Sequence, residues 1–139
     1  MSNAPLPEGY SRAFDADCST HSSCILTVGI EAEEGDVEKF VVRLHRQGPG
    51  VDPVWTVIGR FDHNATDGPR GHDLYEEGLH VDVATPEGMR KARLSHGPLP
   101  EEGTLIRSCM DYLRNHVSYF IRCFEGTPES PDDAPDWVG

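Results

Sequence analysis

Residues 55–82 read WTVIGRFDHNATDGPRGHDLYEEGLHVD, and the alternation within them decides how the chain folds. Trp55, Val57, Gly59 and Phe61 alternate with Thr56, Ile58, Arg60 and Asp62, the period of two expected of a strand whose faces differ. Asn64 to Gly71 then brings together Asn, Asp, Pro and two Gly, which favour turns through φ freedom, ring constraint and side-chain hydrogen bonding. Periodicity resumes at Leu79, where Leu79, Val81 and Val83 would enter a core while His80 and Asp82 point the other way together. The stretch therefore reads strand, loop, strand.

Upstream, Cys24–Glu31 is β-branched and runs into the acidic turn Glu33-Glu34-Gly35-Asp36, and a second strand spans Lys39–Arg46. In that second strand Phe40, Val42 and Leu44 share one face, and Val41, Arg43 and His45 the other. The two are expected to pair as an antiparallel hairpin. Downstream, Thr85-Pro86-Glu87-Gly88 marks a turn before Met89–Leu94, a basic fifth strand suited to a sheet edge, where Lys and Arg discourage unwanted pairing. Leu105, Ile106, Cys109, Tyr112, Leu113, His116, Val117, Phe120 and Phe124 recur at helical spacing, behind Glu101 and Glu102 and ahead of Gly126 and Pro128. The predicted fold class is α+β, an antiparallel meander of four to five strands with one long C-terminal helix packed on one face. Its inward face would carry Phe40, Val42, Leu44, Trp55, Val57, Phe61, Leu79, Val81 and Val83.

At 139 residues the chain is one domain's worth. Residues 1–11 read as a mobile leader, 12–126 as the domain, and 127–139, Pro-rich and acidic, as a disordered tail in which Trp137 offers a docking handle. The 24 acidic residues against 12 basic ones, a formal net charge of -12, argue against indiscriminate binding to nucleic acid or anionic membrane. Lysine occurs only at 39 and 91, a balance that fits either a halophilic cytosol or a GC-rich genome. No apolar run approaches a membrane span and no signal pattern opens the chain, so a cytoplasmic protein is expected. Cys109 and Cys123 share one predicted helix about 21 Å apart, too far to bridge, and read as reduced core residues. Cys18, His21 and Cys24 have zinc-type spacing but lack a fourth ligand, so a surface segment competes with a metal site there.

The polar face of the meander carries the functional expectation. Period two would place Arg43 and His45, Arg60 and Asp62, and His80 and Asp82 on three strands, with His63 and His72 in the loop above. Imidazoles can exchange protons near neutral pH, guanidinium groups can hold phosphate, and carboxylates can orient an imidazole. These parts suit metal-independent RNA cleavage, with Arg60, Asp62, His72 and His80 in the catalytic set and Arg43, His45 and His63 on the substrate. They equally suit a divalent metal held by His63, His72, Asp73, His80 and Asp82, although no cofactor is required by the first scheme. An ordinary solvated sheet face with ion pairs is the competing structural reading. His116, on the apolar helix stripe, reads as a core histidine.

Arg60-Phe61-Asp62-His63-Asn64, followed by Gly68 and Gly71-His72-Asp73, resembles the core of the TumE-like toxins of toxin–antitoxin systems and of related small prokaryotic families. About half the chain is covered. Asp73 stands where the pattern has a second histidine, and the loop is longer. The resemblance implies a small α+β protein of ribonuclease-toxin type or a non-toxic relative, with Arg60, Asp62 and His72 carried over and an antitoxin as partner. Two functions from different classes follow: a small nuclease acting on RNA, or a non-catalytic module that binds a protein partner.

Overall fold

A computed structural model describes residues 4–18, 23–48, 54–64, 74–126 and 134–137. Strands β1 (Arg12–Asp17), β2 (Cys24–Glu33), β3 (Asp36–Gln47), β4 (Trp55–Asn64), β5 (His80–Thr85) and β6 (Gly88–Arg93) form one antiparallel sheet whose spatial order is the sequence order. A short α1 (Leu74–Glu77) precedes β5, and α2 (Glu102–Asn115) and α3 (Val117–Glu125) follow β6. The α+β meander with C-terminal helical cover is as expected, but the described residues hold six strands rather than four or five, and two helices replace the single long one. No helix among them is long and apolar enough to cross a membrane.

Each difference has a physical cause. β1 is RAFDAD, and Ala and Asp have little strand propensity, so the strand is hard to see in isolation. Pairing supplies what propensity does not: Phe14 and Ala16 face Val28 and Leu26 of β2, extending the apolar side of the sheet. The helix breaks at His116, whose φ of -125° and ψ of 29° leave the helical region. As a result α2 can lie on β3 while α3 turns to lie on β4 and β5, following a sheet that twists. Glu101 caps the start, accepting from the Gly103 N–H at 2.8 Å and the Thr104 N–H at 2.7 Å. Gly126, at a left-handed φ of 78°, ends α3 as its position predicts.

The β2–β3 hairpin closes through Glu34 and Gly35, at φ 54° and 88°, between the paired Glu33 and Asp36. Two successive left-handed residues match the twist of the strands they join. Between β3 and β4 the register slips: Leu44 opposes Gly59 but His45 opposes Val57, so Ile58 is an extra, fully buried residue. Such a bulge reverses the alternation on the strand that carries it. Trp55 and Val57, expected in the core, therefore share the side of His45 and are only half-buried. Thr56 and Arg46 take the helical side instead, lining a cavity of about 360 Å³ with Phe124 and Glu125.

Phe40, Val42, Leu44, Phe61, Leu79, Val81 and Val83 are buried as expected, together with Leu105, Cys109, Leu113, Phe120 and Cys123 of the helices. Parts of both expected terminal segments also pack. Ala4 and Pro7 are buried, and the Tyr10 ring lies over Gly29. At the other end Trp137 meets Phe61 and Tyr112, and the Tyr112 hydroxyl donates to the Pro135 carbonyl at 2.7 Å.

Gly59 sets the approach of the helical layer: a Cβ there would sit 2.8 Å from Phe120 Cδ1 and 3.2 Å from Leu113 Cδ2. Replacing it with alanine is expected to cost about 1–3 kcal/mol of stability through overpacking, read from urea denaturation. An unchanged midpoint would mean that the layer is not closely packed at this strand.

Candidate functional site

Antiparallel pairing aligns Thr27, Arg43, Arg60, Asp82 and Lys91 in one row across five strands. Gly59 and Val83 face the helices, so the residues alternating with them face away, and Arg43, His45, Arg60, Asp62, His80 and Asp82 fall on this one open side of the sheet. The convergence expected from period two is present for these six. It extends to Lys91, whose basic strand β6 does lie at an edge.

Within the row the charges are unequally paired. Arg60 donates from Nε and Nη2 to Asp82 Oδ2 at 3.1 and 2.8 Å, and the Asp82 side chain is 13% exposed. Arg43 stands directly opposite Arg60, an arrangement that like charges disfavour, and among the described residues it makes no ion pair or side-chain hydrogen bond. Asp62, opposite Val41, buries Oδ1 with no hydrogen-bond partner among the described residues. Tyr10 joins this group from the N-terminal segment. Burial raises its hydroxyl pKa above the ordinary value, with Arg43 pulling it down, Asp62 pushing it up and Arg60 pulling it down. Lys39 Nζ lies 4.8 Å from the centre of the same ring. Nothing in the sequence marks Tyr10, because its strand neighbours are brought to it only by the fold.

The histidines are arranged differently from the expectation. His63 is on the helical side, since β4 runs to Asn64 and carries the parity of Phe61 two residues further. Its Nδ1 accepts the Leu74 N–H at 3.1 Å, and its ring lies 5.3 Å from Phe40 and 5.5 Å from Tyr75. It is therefore separated by the sheet from Arg43, and cannot join His80 and Asp82 around one metal. His72 and Asp73 lie outside the described residues, among which no three metal-ligating side chains gather. His80 is on the open side but buried, with Nδ1 3.3 Å from the Gly78 carbonyl. His96, which sequence reasoning passed over, accepts the Leu79 N–H at Nε2 and so holds the start of β5.

His45 is 1% exposed, and its Nε2 meets Thr27 Oγ1 at 2.7 Å. Burial, reinforced by Arg43, lowers its pKa to about 4, so it is neutral at pH 7 and a poor proton donor. Because the folded value lies below the ordinary one, the unfolded chain binds this proton first as pH falls. The stability that neutral His45 contributes is thus complete above about pH 6.5 and is lost between there and pH 4. The loss is on the order of 3 kcal/mol. Urea denaturation across this range should show it, and His45→Gln should flatten the slope; an unaltered slope in that variant would exclude a buried neutral imidazole.

No curated protein matches the chain, and no solved structure does. A family model described as Domain of unknown function (DUF7718) matches residues 8–129, from the N-terminal segment that carries Tyr10 to just beyond α3. The chain belongs to this family.

Proposed function

We propose that the protein is a non-catalytic, cytoplasmic interaction module whose open sheet face binds a carboxylate-bearing surface of a protein partner. The observation that carries this reading is the Arg43–Arg60 pair: Asp82 takes the charge of one guanidinium, and no carboxylate among the described residues takes that of the other. An anion placed between them would relieve the repulsion of two like charges on facing strands. Along the row the signs run plus, plus, minus, plus from Arg43 to Lys91, a mosaic that suits a protein surface better than a continuous track of phosphates. The net charge of -12 adds a long-range penalty that grows with the charge and length of an anionic partner, heavier for a nucleic acid than for a short acidic segment.

A toxin-type ribonuclease is the second reading, favoured by His80 lying on the same face two residues along from Asp82. Its catalytic set would be Arg60, Asp62, His72 and His80, with Arg43 on the phosphate. Neutral, buried His45 gives this scheme no support, and His63 is on the wrong side of the sheet for substrate.

Purified protein is expected to leave single-stranded RNA intact with or without chelator. Cleavage that disappears in His72→Ala or His80→Ala would replace the module with the nuclease. A fluorescein-labelled oligoglutamate peptide should bind saturably and more weakly as salt rises, and Arg43→Ala should weaken it about tenfold or more. Equal binding by that variant, or none by the parent, would overturn the assignment of this face.

A further inference from the structure

The register of β1 on β2 runs from Arg12 opposite Ile30 to Asp17 opposite Ile25; β1 ends there, and the same register carried one residue further would set Cys18 opposite Cys24. We propose that these two are a cross-strand thiol pair that closes reversibly to an intrachain disulfide, clamping the edge strand β1 to the rest of the sheet. Directly opposed residues of an antiparallel pair have Cα atoms about 4.5–5.5 Å apart, inside the roughly 4.4–6.8 Å span that a disulfide bridges. Both thiols are unoxidised and 5% exposed, and both belong to the apolar cluster beneath the helices. They also sense each other: after burial itself, Cys24 is the largest influence pushing the Cys18 thiol up to about 11.

The location gives the bond a structural consequence. β1 is an edge strand held on one side only, and at its end the Asp17 carbonyl accepts from Arg114 Nε of α2 at 3.0 Å. A link between Cys18 and Cys24 would fasten the strand at the point where it meets the helix. The oxidant is a small-molecule disulfide such as oxidised glutathione. One protein thiol loses its proton and displaces a glutathione thiolate to form a mixed disulfide; the second loses its proton and displaces the other glutathione. Two S–H bonds are lost from the protein, one S–S bond forms, and the two electrons leave with two molecules of reduced glutathione.

The test treats the full chain with oxidised glutathione at pH 8.5 in EDTA, then digests it with trypsin under non-reducing conditions. The peptide running from Ala13 to Lys39, which holds both cysteines, should become lighter by two hydrogen atoms and regain them with dithiothreitol. The oxidised protein should melt roughly 5–10 °C higher than the reduced one. Cys18→Ser should instead leave a stable mixed disulfide with glutathione on Cys24, which distinguishes loss of the pair from loss of the fold. An unmodified peptide, glutathione retained on both cysteines, or a disulfide between chains would each overturn the proposal.

Discussion

The close contact of β4 with the helical layer at Gly59 decides which side of the sheet is covered. A glycine lets the Phe120 ring and Leu113 press onto the strand, and each neighbouring strand inherits its parity from the pairing of its residues with that one. From this contact it follows that Phe61, Val42 and Val83 are core and that Arg60, Arg43 and Asp82 are not. The open face is thus a by-product of core packing. Its row of charges stands outside the apolar core.

Within that face, burial and charge divide the residues into two sorts. His45 and His80 are shut in by their surroundings, and His45 is held neutral; they behave as polar members of a packed layer. Arg43 and Arg60 are only half-buried, and the guanidinium of Arg60 is satisfied by Asp82. His45, held neutral, has no proton to exchange near pH 7. Fixed charge is present on this face at Arg43, Arg60 and Asp82, and Tyr10 with the Lys39 ammonium near its ring borders the same ground.

Much of this was legible in the sequence because side-chain alternation is a strict rule within an undisturbed strand. It placed Arg43, His45, Arg60, Asp62, His80 and Asp82 together, while turn residues and basic side chains located the edge strand and Gly126 the end of the last helix. It failed wherever the deciding information was non-local. Ile58 looks like any other strand residue, and only its partner strand makes it a bulge that turns Trp55 and Val57 to the open side. His63 looked like loop because turn residues follow at once, yet the strand continues through it and sends it to the core. β1 has almost no intrinsic strand signal, and the break at His116 answers to the twist of the sheet beneath it. Docking of Tyr10 and Trp137 likewise depends on surfaces formed by distant segments.

The most direct measurement is nuclear magnetic resonance of the arginine side chains, following the Nε–Hε signals of Arg43 and Arg60 while an acidic peptide is titrated in. A shift led by Arg43, smaller at Arg60 and reversed by salt, is the result that a half-paired guanidinium row requires. Signals at both arginines that stay still while those of α2 or α3 move would place recognition on the helical side and contradict the account.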